Sequence, residues 1–395
     1  MVVLEKIADR INVLTPSGIR AVSAKAAELE KEGIKVIHLE LGRPDFDTPY
    51  YIKEAAKKSL DAGRVFYTSN FGTDELREEI CKKLLRENNQ SYSLSEVLVT
   101  VGLSEAIFCT LSTILDVDDE IIVPDPVWMN YINVPKLLGA RVSTYSLLKN
   151  NMYQPDVDEI ESKISQRTKA IVINSPNNPT GSVLSFETLE KIAKLVQKYN
   201  LIVLADEVYE RIVYDETKHI SIAAFPGMKE HTIVLNGFSK AYSMTGWRLG
   251  YLAGPEDMIK SINKMHQIIT TCATTFVQDA AVVALSEEGR EVSEMVAEYE
   301  KRRNYITTAI NETAGLSCVK PTGAFYLFVD ISKTGMTDIE AAQFFLEKSH
   351  VAVVPGTVFG KNGAGHIRLS YAAGMDELKA AVEQIRYALW EAGIR

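Results

Sequence analysis

The sequence predicts an α/β fold: a mostly parallel sheet of seven strands between helices, with a second, smaller α/β part. Three observations predict it. From residue 96 onward, short β-branched runs alternate with helical stretches. Most of those runs are apolar throughout rather than at every second position, the pattern of strands covered on both faces. The chain of 395 residues also exceeds one ordinary domain of about 150 residues.

The seven runs are 97–101, 121–123, 141–147, 170–173, 201–204, 233–235 and 248–253. Helical patterns fall between several of them, at 104–115, 131–138 and 186–199. Ahead of the first run, 18–32 reads as a helix with Ile19, Val22, Ala26 and Leu29 on one face and Gly33 as its stop. After Leu285 the texture changes to one long amphipathic pattern over 287–312, carrying Val292, Met295, Val296, Tyr299, Ile306 and Ile310. Two strand–helix stretches follow and end in a helix over 376–392. The expected division is a large domain over 46–285 and a small one combining 1–45 with 286–395.

Forty-three basic against 52 acidic side chains give a formal charge of −9. That balance excludes nucleic acid and anionic membrane as main partners, because both reward excess Lys and Arg. Cys81, Cys109, Cys272 and Cys318 are scattered, with no C-x-x-C and no metal-like spacing, so free thiols in a reducing compartment and no metal are expected. The first residues show no secretory leader, and no apolar run approaches the ~20 residues of a membrane span. A cytoplasmic protein is expected.

The candidate chemistry gathers where the runs end. In parallel sheets, ligands bind beyond the carboxyl ends of the strands. Run 97–101 ends in Gly102-Leu103-Ser104 at a helix start, and 121–123 leads through Pro124-Asp125-Pro126 to Trp128. Run 170–173 ends in Asn174-Ser-Pro-Asn-Asn178-Pro-Thr-Gly181, 201–204 in Asp206-Glu207-Val208-Tyr209, and 233–235 in Asn236-Gly237-Phe238-Ser239-Lys240. One rim thus holds an anion site, an aromatic plate, a carboxamide, a carboxylate, a phenol and an amine. Pyridoxal 5'-phosphate requires such a set. Its aldehyde needs a lysine, its ring nitrogen a carboxylate, and its phosphate needs helix N-terminal amides and a cation.

The stretches Asn174–Gly181, Asp206-Glu-Val-Tyr209 and Ser239-Lys-Ala-Tyr-Ser-Met-Thr-Gly-Trp-Arg-Leu-Gly-Tyr251 resemble the signature of the class I/II aminotransferases, fold type I pyridoxal phosphate enzymes. The resemblance runs from Leu41-Gly-Arg-Pro-Asp-Phe-Asp-Thr-Pro49 to His366-Ile-Arg-Leu-Ser370, almost the whole chain. It implies the pyridoxal-phosphate-dependent transferase fold. It also implies that Lys240 forms the Schiff base and moves the substrate proton, that Asp206 pairs with the ring nitrogen, and that Asn178 and Tyr209 bond the phenolic oxygen. Trp128 would stack on the ring. Arg248 and the Gly102-Leu103-Ser104 helix start, through the amides of Leu103 and Ser104, would hold the phosphate. Tyr67 would reach the neighbouring subunit's phosphate in a homodimer. Arg368 would clamp the substrate α-carboxylate, with Gly42, Asn178 and Trp128 beside it.

Two departures stand out. Many members carry a serine three residues before the lysine, where this chain has Gly237; either Ser239 or Arg248 with backbone amides then takes that contact. Bacterial aspartate-type members carry a lysine after the first strand, and its counterpart here is Ser104. That favours a neutral or aromatic donor over aspartate. The expected reaction is a ping-pong transfer of an amino group from an L-α-amino acid to a 2-oxo acid, with 2-oxoglutarate as acceptor and residues 17–20 as a lid.

Other readings fare worse. Gly237-Phe-Ser239-Lys-Ala241 nearly matches the G-x-S-x-G elbow of serine hydrolases but lacks its last glycine, and that reading leaves Asp206, Asn178 and Arg248 idle. No G-x-G-x-x-G follows a strand, which counts against a nicotinamide dehydrogenase. A pyridoxal phosphate C–S β-lyase or related elimination enzyme uses similar residues and is the alternative.

Overall fold

The computed structural model describes residues 7–287 and 289–395. The N-terminal residues read above for a leader fall outside them. The central sheet contains β1 (Val97–Thr100), β2 (Glu120–Asp125), β3 (Arg141–Ser146), β4 (Thr168–Asn174), β5 (Ile202–Asp206), β6 (Thr232–Gly237) and β7 (Gly250–Ala253). Their spatial order is β1-β7-β6-β5-β4-β2-β3. All neighbours are parallel except at β7, which runs antiparallel to both β1 and β6. The seven expected runs are the seven strands. Apart from the outer strand β3, which is mostly half-buried, their interior positions are almost wholly buried, so both faces are covered and those runs are continuously apolar.

The helix Phe186–Tyr199 shows how local chemistry sets these boundaries. The Ser185 hydroxyl accepts from the Thr188 amide at its start, Leu189, Ile192, Ala193 and Val196 are buried along one face, and Asn200 ends it in a left-handed conformation. The run expected over 248–253 is shorter at its start. Arg248 lies outside β7 with φ +55°, on a turn that feeds the strand. Because β7 is the antiparallel strand, it begins at the rim where the other six end. That topology delivers Arg248 to the same rim.

A second, antiparallel sheet joins β8 (Ser317–Cys318), β9 (Tyr326–Asp330), β10 (Val354–Pro355) and β11 (His366–Ser370) in the order β10-β11-β9-β8. Helices Glu291–Asn311, Asp338–Ser349 and Met375–Glu391 accompany it. The N-terminal strand Ile37–His38 pairs in parallel with Val351–Ala352. Arg368 sits mid-strand in β11, between β10 and β9, not at a sheet edge. The core of this second layer includes Tyr209, Ile212 and Tyr214, so the loop after β5 is gripped from both sides.

That loop has a polar underside. Asp206 and Tyr209 face the cavity described below, whereas Glu207 and Glu210 enter a buried network. Lys83, 2% exposed, donates to Glu210 and, at 2.7 Å, to Asn88. Asn88 and Asn236 donate to the same carboxylate at 2.7 and 2.6 Å. His219 pairs with Glu207 at 3.3 Å; burial works against its proton, but Glu207 and Glu210 more than offset that and raise its pKa. Burial likewise pushes the Glu210 carboxyl up, and Lys83, His219 and Asn88 overcome it to bring the group to about 2.

Glu210 is therefore an acid whose folded pKa lies below the ordinary value of about 4.3. Its stabilisation is complete above that value and is lost as the pH falls through about 2. Replacing Lys83 with Met leaves the carboxylate buried and unpaired, which costs about 3–5 kcal/mol. Urea unfolding at pH 7 is expected to show that loss in Lys83→Met.

Candidate functional site

Between the rim of the central sheet and the second layer lies a cavity of about 670 Å³. Lys240, Asp206, Tyr209, Asn178, Trp128 and Arg248 line it, as do Leu103, Ser104, Ser239, Arg368 and Gly42. These come from strand ends far apart in the chain. The β4–β5 and β5–β6 registers set Asn174 beside Asp206 and Asp206 beside Leu235, which brings two of the polar strand ends level at the rim.

Three groups in the cavity are held against their charged forms. Burial pushes the Asp206 carboxyl up, while the Tyr131 hydroxyl at 2.9 Å and the Val208 amide at 3.3 Å pull it down; it settles at about 6. Burial pushes the Lys240 amine down, Arg368 and Arg248 add to that, and Asp206 opposes it, leaving about 8. Lys240 Nζ donates to the Gly42 carbonyl at 2.6 Å. Burial lowers Arg368 as well. Arg368 is fully buried, donates to the Asn178 side-chain oxygen at 3.2 Å and to the Glu40 carbonyl, and leaves its Nε without a partner. No carboxylate among the described residues pairs with it. A buried guanidinium without a counter-ion is costly, and the cavity beside it is where an anion can enter.

The other end of the cavity is also built for an anion. Gly102 precedes the helix Leu103–Ile114 with φ +74°, and a Cβ there would lie 2.5 Å from Arg248 Nη2. Glycine is what lets the guanidinium close over the helix N-terminus, where free amides favour negative charge. Arg248 Nη1 donates to the Thr245 carbonyl at 2.9 Å. The departure at Gly237 has a packing reason: a side chain there would meet Leu103 Cδ1 at 2.8 Å and the Gly250 backbone at 3.0 Å. Ser239 lines the cavity instead. Pyridoxal phosphate fits this donor set, because an amine near neutrality, a buried carboxyl, a stacking ring and an anion cradle share one space.

Tyr67 stands apart from these residues. It is 85% exposed, next to Phe66 at 79%, and is absent from the cavity of its own chain. Tyr131 and Tyr326 complete the site without having been singled out in the sequence. Tyr326 exchanges a hydrogen bond with Tyr209 at 2.7 Å, and Arg368 lies 4.6 Å from its ring centre. Tyr131 falls within a helical pattern and Tyr326 within an apolar run, so both read as core. The one sequence signal for Tyr131 is its place shortly after Trp128.

A family model described as "Aminotransferase class I and II" matches residues 34–385. The chain is 42% identical to an aspartate aminotransferase of Pyrococcus abyssi, over 97% of this chain and 98% of that protein. It is 40% identical to aromatic-amino-acid aminotransferase 2 of Thermococcus litoralis, covering 98% of each. The structure of an aspartate aminotransferase from Thermus thermophilus with maleate superposes with a TM-score of 0.93 at 38% identity, covering 97% of this chain and 99% of that one.

The raised pKa of Asp206 carries a stability consequence. A carboxyl whose folded pKa lies above its ordinary ~3.9 imposes no penalty below that value and its full penalty above about 6. At pH 7.5 the penalty in the cofactor-free protein is about 3 kcal/mol. Asp206→Asn removes the charge but strands one of the two donors on that carboxylate, at about 1 kcal/mol. Thermal unfolding of the cofactor-free variant at pH 7.5 is expected to show a net gain of about 1–2 kcal/mol, which disappears by pH 4.

Proposed function

The chain belongs to the class I and II aminotransferases, pyridoxal phosphate-dependent transaminases, and on that premise we propose how its residues divide the work. The observation that carries the reading is Arg368, a fully buried guanidinium with no acidic partner among the described residues, facing a cavity that also holds Lys240 and Asp206. Such a group awaits the α-carboxylate of an amino acid or a 2-oxo acid, which it can grip bidentately. Relatives named for aspartate and for aromatic amino acids support donors of either kind, and the named alternative of elimination chemistry has no counterpart among them.

When bound, the cofactor supplies the aldehyde that attaches to amines and a ring that draws electrons away from the substrate Cα. Lys240 is the attachment point and, once displaced by the substrate amine, the base that takes the proton from substrate Cα. A pKa near 8 leaves a usable fraction unprotonated at neutral pH. Asp206, fixed by Tyr131, keeps a proton on the ring nitrogen. Arg248 and the amides of Leu103 and Ser104, behind Gly102, hold the phosphate, with Ser239 beside them. Asn178 and Tyr209 donate to the phenolic oxygen, and Trp128 covers one ring face. Gly42 must stay small, since a Cβ there would lie 2.6 Å from the Tyr326 hydroxyl.

The body over 46–285 is the cofactor-binding domain in this reading, with 1–45 and 286–395 as its smaller companion. The acceptor is 2-oxoglutarate. Residues 17–20, three of which line the cavity, close over the bound substrate and exclude water. The enzyme works as a homodimer: Val65, Phe66, Tyr67 and Ile268 form exposed apolar surface that a second copy covers, and Tyr67 reaches the partner's phosphate. Four free cysteines suit the cytoplasm.

Adding one amino acid to the holoenzyme without an acceptor tests the core of this. The visible absorbance of the lysine-bound cofactor is expected to shift to shorter wavelength while one equivalent of 2-oxo acid appears. Continuous release of ammonia with oxo acid would show elimination instead. Lys240→Ala is expected to lose at least ~10³-fold in this half-reaction, a loss larger than the ~10²–10⁴ range of general-base removal alone would demand at its low end. The rate of cofactor attachment to the cofactor-free protein should rise with pH up to about 8 and level off above it. Phe66→Asp should yield monomers in sedimentation velocity, with weakened cofactor retention.

A further inference from the structure

Behind the phosphate end of the cavity lies a cluster that the roles proposed above leave unused. Glu105 sits in the first turn of the helix Leu103–Ile114. It does not line the cavity, and its side chain is only 9% exposed. Three donors meet its carboxylate. Oε2 accepts from the Val101 amide at 2.9 Å, and Oε1 accepts from the Cys109 thiol and from His266 Nδ1, each at 2.9 Å. An acid in the first turn of a helix is commonplace, because free amides there favour negative charge. Solvent holds most such acids, whereas protein donors from two helices and a strand end hold this one.

Those donors are committed to it. His266, on the helix Glu256–Ile269, is fully buried. A carboxylate can only accept, so the hydrogen of their bond is on Nδ1; Thr270 Oγ1 stands 3.3 Å from the same nitrogen. The other ring nitrogen, Nε2, has no partner, and Glu105 is the one carboxylate the ring meets, among the described residues. Burial and the Glu105 carboxylate push the Cys109 thiol up from its ordinary pKa, so it stays protonated and donates.

The bond to Val101 is the one that reaches the site. β1 is an edge strand and ends at Thr100, and Val101 and Gly102 carry the chain from it into the helix. Gly102 turns with φ +74° against the Arg248 guanidinium and offers no side-chain cap to the first amides. Glu105 reaches back across that turn. Its carboxylate fastens Val101 to the first turn of the helix, and the Leu103 and Ser104 amides between the two are fixed with it.

We propose that Glu105, oriented by His266, is a positioning residue for the cofactor phosphate: by clamping the Val101–Gly102 turn it aims the Leu103 and Ser104 amides at the point that Arg248 faces. The inference rests on the phosphate site proposed above and adds to it residues that never touch the ligand. An anion gains from amides only where they converge, and an amide turned aside forfeits a charge-assisted bond. Loss of the clamp therefore weakens the phosphorylated cofactor and spares its unphosphorylated form.

The test uses the full-length protein reconstituted with pyridoxal phosphate and, separately, with pyridoxal, which has the same ring and aldehyde but no phosphate. Visible absorbance gives the dissociation constants, and inorganic phosphate is titrated calorimetrically into the pyridoxal-loaded protein. Glu105→Gln keeps the size and loses one acceptor oxygen, His266→Leu removes the Nδ1 donor, and His266→Asn restores an amide donor near its place. The preference for pyridoxal phosphate over pyridoxal is expected to fall ~10-fold in Glu105→Gln and His266→Leu, the low end for a lost hydrogen bond to a charged group, and to recover in His266→Asn. Inorganic phosphate should weaken in step while pyridoxal affinity holds. Melting temperature checks folding, and Glu105→Gln carries the test if His266→Leu does not fold. A lowered melting temperature with an unchanged preference would mark a purely structural bond and overturn the proposal, as would equal losses in His266→Leu and His266→Asn. A wild-type protein that binds pyridoxal as tightly as pyridoxal phosphate would overturn the phosphate site itself.

Discussion

Shared desolvation of an amine, a carboxyl and a guanidinium is the constraint on which the remaining structure depends. Lys240, Asp206 and Arg368 line one cavity, and burial pushes each toward its neutral form. Bringing such groups together stabilises nothing by itself, because the cost of stripping water exceeds the attraction between partly mismatched charges. The expense is met elsewhere, by strands buried on both faces and by a second layer that packs onto the loop after β5. A large α/β body can carry this load where a small domain could not.

The underside of that loop shows how the load is carried. The residues of the loop divide in purpose: Asp206 and Tyr209 serve the cavity, while Glu207 and Glu210 anchor the turn through His219 and Lys83. The anchoring carboxylate is stabilised in its charged form, to about 2, and the cavity carboxyl is destabilised in its own, to about 6. Four residues apart in sequence, the two acids differ because one has been given an ammonium and two carboxamides and the other a single phenol and a distant amide. Environment, not residue type, separates the structural acid from the functional one.

Much of this was legible beforehand, for physical reasons. Most of the seven strands announced themselves because double-sided burial demands an unbroken apolar run, whereas the outer β3 is half-buried and mixed in sequence, and the helix over 186–199 showed in its periodicity. The polar strand ends were legible because parallel topology alone brings them to one rim. What stayed hidden was pairing across the chain. Tyr131 and Tyr326 look like core aromatics until the fold shows which hydroxyl meets Asp206 and which meets Tyr209. Gly237 read as a missing ligand, whereas in three dimensions Leu103 fills the space a side chain would need. The strand expected from residue 248 began two residues late, since periodicity cannot see the left-handed turn at Arg248.

Tyr131 also explains how Asp206 can sit at about 6 rather than higher. Burial holds the phenol well above its usual pKa of about 10, so it remains a donor across the neutral range. A permanent donor stabilises the carboxylate without adding charge of its own, and so it moderates the upward shift without abolishing it. A lysine or arginine in its place would pull the carboxyl far below neutrality and supply the counter-ion from within the protein. The carboxylate would then have little left to offer a protonated ring nitrogen. A phenol leaves that demand open, poised between the two protonation states, and a cationic N–H arriving in the cavity settles it.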